Sequence, residues 1–489
     1  MSGTDLKGKT IFGMIWAAVQ RFGTMILSFV SNLILARLLT PDDFGAIGML
    51  AIFIALSNNF IDGGFGAALV QKSNPEQKDY STIFFWNLIL SIFLYGLIWL
   101  CAPQIASFYD IELLCNLLRF QALILIVNAL GLVQRARLRK SLQFKTLAII
   151  DLTSSVISVS VAIISAYNGL GVWSLIAYQL SLSCCQTIGL WATHRWIPSL
   201  VFDLASFKSL FKYGGFLLIS DLLNTFCDNI QGLIIGKQFS PAVMGYYTQA
   251  KKLEEVPTTS LSNIVAQVSF PIFSQIKDDN KTLYAAHRKC IHATNFINIP
   301  LMSLLIVIAQ PLIVFLFTDK WLESVPFFQI LCVAGLANCL QSINYQLYVA
   351  VGYSKSMFKW NILKRGVGII MILLGATISV KGVLWGMVIS FWFTYFINAN
   401  LAGRVTGYNL CKQIIELIPI IIVSIISCTL AYFCSKIMPA HYLITMTAQI
   451  TVFLISYITL SYVFKINGIS IYKQILSDAI SSFLNRKRK

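Results

Sequence analysis

Four polar side chains on one face of the first long apolar segment carry the clearest chemistry in this chain. Arg21, Thr24, Ser28 and Ser31 recur at i, i+3, i+7 and i+10, the spacing of a single helix face. At an offset of 200 residues, Asp221, Asn224, Asp228 and Gln231 repeat that spacing with acids and amides. Such groups are expensive inside a membrane and mark either a hydrated pathway or a paired strut. A guanidinium presents a fixed fork of donors suited to phosphate or carboxylate. An intramembrane carboxyl group can exchange a proton or hold a cation. Two readings stay open for the stripes: they line a shared hydrated interior, or Arg21 and Asp221 form ion-paired struts.

Other intramembrane polar groups extend this set. The second apolar segment carries Asn58, Asn59 and Asp62, followed by Gly63-Gly64-Phe65-Gly66, where the glycines would let the helix bend. Asp62 is a candidate for ion coupling or a partner for Arg21. The eighth segment carries Lys251-Lys252-Leu253-Glu254-Glu255 ahead of Pro257. Lys251–Glu254, Lys252–Glu255 and Lys251–Glu255 have helical pairing distances, so internal neutralisation is one reading. A water-filled vestibule lined by these charges is the other. Arg119 has the length to snorkel to the surface, and Arg365, next to Lys364, faces either a cavity or the cytoplasm. Asp151, with Ser154, Ser155 and Ser158, reads as a solvated helix start.

The elements that must position these groups are membrane helices. Apolar residues make up 57% of the chain, charged residues 12%, and mean hydropathy is +0.74. That excludes an ordinary soluble globule. Fourteen runs long enough to cross a bilayer, about 20 residues each, extend from 11–38 to 443–464. The segment Leu33-Ile34-Leu35-Ala36-Arg37-Leu38-Leu39-Thr40-Pro41 aligns with Leu233-Ile234-Ile235-Gly236-Lys237-Gln238-Phe239-Ser240-Pro241, and each copy restarts at Gly45 or Gly245. Thr40 and Ser240 suit an N-cap, and Pro41 and Pro241 suit the first helical position. The expected fold is therefore an all-α polytopic membrane protein with about fourteen transmembrane helices. A six-helix bundle (1–193) and a cytoplasmic linker (194–212) precede a second, repeat-related bundle (213–403). Helices thirteen and fourteen (404–466) follow as an appendix, then an amphipathic basic tail (467–489). Internal duplication of this kind is a mark of transporters.

The net charge of +17 follows from topology. Only Arg37, Lys237, Lys320, Lys381 and Lys436 fall on one side, and Arg21, Arg119, Lys251 and Lys252 lie within spans. The remaining bases crowd the alternate loops, so both termini are expected in the cytoplasm. Nucleic acid is not an expected partner. The eleven Cys and four His show no metal-binding spacing, and the loops are short. No catalytic residues and no metal are expected.

The block Ala36-Arg37-Leu38-Leu39-Thr40-Pro41-Asp42-Asp43-Phe44-Gly45, with Asp62-Gly63-Gly64-Phe65-Gly66, resembles the amino-terminal signature of polysaccharide exporters in the multidrug/oligosaccharidyl-lipid/polysaccharide superfamily. Gly245-Tyr246-Tyr247-Thr248-Gln249-Ala250-Lys251-Lys252 and Phe270-Pro271-Ile272-Phe273-Ser274 are similar to that family's pattern in its second bundle. The branch exporting colanic acid, teichuronic acid and O-antigen units is the nearest match. The resemblance implies a flippase of the bacterial inner membrane that carries undecaprenyl-diphosphate-linked oligosaccharide outward by alternating access. It also implies a cationic cavity, with the membrane lipids and the polymerase and glycosyltransferases of the same pathway as further partners. No cofactor is expected beyond a coupling ion, H⁺ or Na⁺. Substrate-binding candidates are Arg21, Lys251, Lys252, Arg119 and Arg365; ion-coupling candidates are Asp62, Asp228, Asp221, Glu254 and Glu255. The superfamily's multidrug branch, which handles organic cations, is the alternative transporter. A polytopic glycosyltransferase hooked on Asp42-Asp43 is disfavoured because the repeat places Ala242 and Val243 at the equivalent positions.

Overall fold

The structure is a computed structural model that describes residues 3–193, 196–437, 442–466 and 468–469. Most of the basic tail expected at 467–489 lies outside the described residues. Among those described, the chain is predominantly helical and contains no strand. Ten helical segments are long and apolar enough to cross a membrane. The other four of the fourteen expected runs also fold as helices, but fall short of that standard because polar residues dilute them.

The chain forms two compact units, residues 1–245 and 246–489. The division falls one helix later than the repeat boundary, because the seventh expected span packs on the second. In the first unit α1 (Gly3–Leu38) is followed by α2 (Pro41–Asp62) and the short α3 (Phe65–Gln71). Thr40 caps α2, with Asp43 completing a reciprocal capping box and Pro41 opening the helix. The chain breaks at Gly63 and Gly64, whose φ values of 52° and 69° lie in the left-handed region that favours glycine. Next come α4 (Gln77–Tyr109), α5 (Leu113–Gln121), α6 (Leu123–Lys140), α7 (Phe144–Tyr167), α8 (Trp173–Thr193) and α9 (Leu204–Gln238). Helix α9 is capped by Asp203 and packs on α2, α3 and α4.

The second unit contains most of α10 (Pro241–Gln275), then α11 (Asn280–Val307), α12 (Ala309–Phe317) and α13 (Ser324–Ala350). Helices α14 (Ser354–Ala376), α15 (Val380–Thr406), α16 (Leu410–Ile437) and α17 (Tyr442–Val463) complete it. Helices α16 and α17 were expected as an appendix, yet Leu417, Ile420, Val423, Phe453 and Tyr457 share one core with Ile291 of α11, Ile343 of α13 and Tyr395 of α15. A polar network reinforces that core. His287 shares hydrogen bonds with Asn344 (3.1 Å) and Thr406 (3.3 Å), while Asn344 and Gln413 exchange amide bonds at 3.1 and 3.0 Å. The Glu416 carboxylate accepts from Arg288 (2.9 Å) and Tyr408 (2.7 Å) and meets His292 at 2.7 Å. Partners within the protein offset the loss of water for those groups of the network that are buried.

Candidate functional site

The two copies of the repeated turn meet in the first unit. A Cβ built on Gly45 would lie 1.8 Å from the Pro241 carbonyl oxygen, and one on Gly245 would lie 1.9 Å from the Pro41 carbonyl oxygen. The contact is reciprocal: each copy's glycine receives the other copy's proline carbonyl. Only hydrogen fits there. Below it, Met49 packs against Gly236, and Tyr109 donates to the Met49 carbonyl at 3.3 Å. The ion pair Lys237–Asp110, at 3.0 Å, ties the end of α9 to the end of α4.

The α1 stripe is divided by its surroundings. Thr24 turns its hydroxyl to the Gln20 carbonyl at 2.8 Å, Ser28 hydrogen-bonds the Tyr178 hydroxyl, and Ser31 is buried without a partner among the described residues. Arg21 is exposed, and its guanidinium makes no hydrogen bond or ion pair among the described residues. The Arg21–Asp221 strut is therefore not formed here. On α9, Asp221, Asn224 and Asp228 are exposed while Gln231 is buried, donating to the Asp228 carbonyl at 2.5 Å.

Asp62 sits at the break in the second span. It is exposed, accepts the Gly66 backbone N–H, and thus serves the start of α3; Arg139 and Asp221 are its electrostatic neighbours. Its two preceding amides face different ways. Asn58 accepts from Asn128 of α6 at 3.1 Å, whereas Asn59 donates to the Thr225 hydroxyl and, at 3.4 Å, to the Asp221 carbonyl. The packing of α2 on α9 thus brings Asp62 and Asp221 into one electrostatic neighbourhood, and Gly214 of α9 presses on the carbonyl of Gly63.

In the second unit, Lys251 is half-buried, 3.7 Å from Glu255 and 6.0 Å from the Tyr247 ring centre. Of the three expected pairs on α10, Lys251–Glu255 forms an ion pair. Lys252 and Glu255 are exposed. Glu254 is buried: Thr258 donates to its carboxyl group, and Gly335 of α13 leaves it room. Arg119 lies over the Trp99 ring at 4.5 Å, with its Nε 3.4 Å from the Trp99 carbonyl. That stacking holds the guanidinium of α5 against α4.

Two residues carry more than sequence reasoning gave them. Asp151 is 4% exposed, not a solvated helix start. Arg135 grips it with two bonds of 2.8 and 3.1 Å, and Gln20 of α1 also donates to it, so it joins α1, α6 and α7. The correction has a simple cause: a planar guanidinium neutralises the carboxylate through two hydrogen bonds and lets it be buried. Among the described residues of α14, Lys364 and not its neighbour Arg365 is the buried base. It donates to Asn398 of α15 at 2.8 Å and contacts the Met357 sulfur, while Arg365 is exposed. Adjacent residues on a helix face about 100° apart, and a mostly apolar helix gives little hint of which one turns inward.

Comparison with known proteins fits this arrangement. The family profile described as "Polysaccharide biosynthesis protein" matches residues 34–326, more than half of the chain. The chain belongs to that family. Among its relatives, the teichuronic acid biosynthesis protein TuaB of Bacillus subtilis (strain 168) is 27% identical over 351 residues, covering 71% of this chain and 73% of that protein. The lipopolysaccharide biosynthesis protein WzxC of Escherichia coli (strain K12) is 25% identical over 401 residues, 81% of each chain. Among solved structures, the lipid II flippase MurJ in an inward closed conformation superposes with a TM-score of 0.75 at 16% identity, covering 92% of this chain and 98% of that one. An inward-facing multidrug resistance transporter of the MATE family, of the MOP superfamily, gives 0.61 at 14% identity, with 81% and 98% covered. These likenesses establish the fold, and the multi-pass membrane character follows from the apolar helices.

Proposed function

We propose that this protein is a flippase that carries a lipid-linked oligosaccharide across the bacterial inner membrane by alternating access. Both termini face the cytoplasm in this reading, and undecaprenyl diphosphate is the lipid carrier. The observation that carries the proposal is Arg21: an exposed guanidinium in the middle of a membrane helix with no partner among the described residues. An unpaired cation at such depth is unfavourable unless water or an anion meets it, and a diphosphate supplies that anion with bidentate geometry. Lys251 and Lys252 add positive charge on α10. Family membership and the polysaccharide pathways named for TuaB and WzxC support a cargo of this class.

The protein acts as a carrier and no bond in the cargo is made or broken. Coupling to H⁺ or Na⁺ would run through the exposed acids Asp62, Asp221, Asp228 and Glu255 or the buried Glu254. Glycosyltransferases supply the cargo and a polymerase receives it. Replacing Arg21 with Ala tests the reading. Surface polysaccharide should be lost while lipid-linked units accumulate and the protein remains inserted; Arg21→Lys should restore part of the export, lacking the planar fork. Normal surface polysaccharide in the Arg21→Ala strain would remove this residue from the site.

A further inference from the structure

A polar cavity lies within the second unit. It has a volume of about 420 Å³ and is lined by Trp360 of α14, Ile397, Asn400, Leu401, Gly403 and Arg404 of α15, and Asn409 ahead of α16. Its chemistry is one-sided. No carboxylate lines it, and Arg404 makes no hydrogen bond or ion pair among the described residues. Asn400, one turn earlier on the same face, is likewise exposed and without a side-chain partner among them. Asn409 uses its carbonyl oxygen to accept the Lys412 backbone N–H at 3.2 Å, which leaves its amide N–H₂ as the outward donor.

The turn between α15 and α16 is built to hold these donors together. Gly407 has φ 79°, and a Cβ on Gly403 would lie 2.6 Å from the Asn409 Cα. That close approach brings the start of the 28-residue α16 against the last turn of α15. The positive end of the α16 dipole therefore adds to the Arg404 charge. The neighbouring Lys412 does not compete for an anion in the same way, because it donates to the Gly407 carbonyl at 3.0 Å. The indole of Trp360 gives the cavity an amphipathic wall of the kind found where headgroups meet acyl chains.

We propose that this cavity binds the phosphate of a lipid headgroup in the leaflet on the protein's basic face. The donors match a phosphate oxygen set, and the aromatic wall matches the glycerol or first isoprene that follows it. Two sources share this chemistry: an anionic phospholipid and a polyprenyl phosphate carrier. The proposal stands whether or not the chain exports oligosaccharide, since it needs only a membrane.

The test is native mass spectrometry of the detergent-purified full-length protein titrated with phosphatidylglycerol, undecaprenyl phosphate, phosphatidylcholine and glycerol 3-phosphate. One saturable adduct with phosphatidylglycerol or undecaprenyl phosphate is expected, weakened about tenfold by Arg404→Gln, the loss of one charge-assisted hydrogen bond. Asn400→Leu should weaken it to a smaller degree, and Arg404→Lys, the control against misfolding, should fall between wild type and Arg404→Gln. Tighter binding of undecaprenyl phosphate than of phosphatidylglycerol would assign the site to the carrier, and the reverse order to the phospholipid. Adducts unchanged by both Arg404→Gln and Asn400→Leu would overturn the proposal. So would saturation by glycerol 3-phosphate at the same concentration as the lipids, or equal binding of phosphatidylcholine.

Discussion

The two copies of the repeat begin alike and end differently. In each, an apolar helix closes with a base, turns through a hydroxyl residue and proline, and restarts at a glycine: α1 into α2, and α9 into α10. Beyond the turn the chemistry diverges. The second span of copy one breaks at Gly63-Gly64 beside Asp62, whereas the equivalent residues of copy two, Asn263 and Ile264, continue α10 without interruption. Conversely, Lys251, Lys252, Glu254 and Glu255 stand where copy one has Ala51, Ile52, Ile54 and Ala55. Duplication supplied the frame of the turn contact; divergence supplied charge to one copy and a bend to the other.

The turn contact should be the least tolerant feature of the comparison. Alanine at Gly45 or Gly245 would place a methyl group less than 2 Å from a carbonyl oxygen, so the backbones must separate. We expect either substitution to reduce export by at least about tenfold, a barrier change of about 1.4 kcal/mol. Cysteines at Leu39 and Phe239, in a background lacking native thiols, should cross-link and arrest export until reduced. Either alanine should lower the yield of that link. Wild-type cross-linking and export in both alanine variants would show that the reciprocal contact is dispensable.

The broken helix of copy one separates two roles for Asp62. Its carboxylate accepts the Gly66 N–H, a task an asparagine oxygen also performs. Asp62→Asn should therefore preserve the bend and lose any coupling ion, while Asp62→Ala loses both. Export driven by an imposed ion gradient in vesicles should fall severalfold in both variants if Asp62 is the coupling acid. Normal export in Asp62→Asn alongside a defect in Asp62→Ala would make it a helix cap only. In copy two, Lys251→Ala should reduce export less than Arg21→Ala, because Lys251 shares its charge with Glu255 and Arg21 has no such partner.

Much of this was legible in the residues. Thr40-Pro41 and Ser240-Pro241 announced helix starts because capping is local chemistry, and Gly63-Gly64 announced a bend for the same reason. The apolar runs marked helices across the whole chain. What sequence concealed was rotation and partner choice. Whether Lys364 or Arg365 turns inward, whether Asp151 meets water or Arg135, and whether Arg119 reaches a cavity or Trp99 all depend on how helices dock. Helix docking also set the unit boundary at Gly245 and drew α16 and α17 into the core of the second unit, which the repeat alone could not convey.

The smallest effect concerns how successive helices are capped. Ser240, at the start of α10, caps through a neutral hydroxyl, with the Val243 N–H 3.4 Å away. Asp203 and Asp279, at the starts of α9 and α11, cap through carboxylates. Hydrogen bonds from Ser206 and Ala205 hold the Asp203 carboxyl below the ordinary carboxylate range, and those from Thr282 do the same for Asp279. A depressed carboxyl group stabilises its helix start above its unfolded pKa, about 4, and that contribution fades as pH falls through the folded value. First-turn amides of α9 and α11 should therefore lose hydrogen-exchange protection in acid, while those of α10 keep theirs. Asp203→Asn should cap in a pH-independent manner and remove the acid sensitivity of α9 alone. Equal acid sensitivity at α10 would mean that the whole membrane domain loosens and that cap chemistry is not the cause.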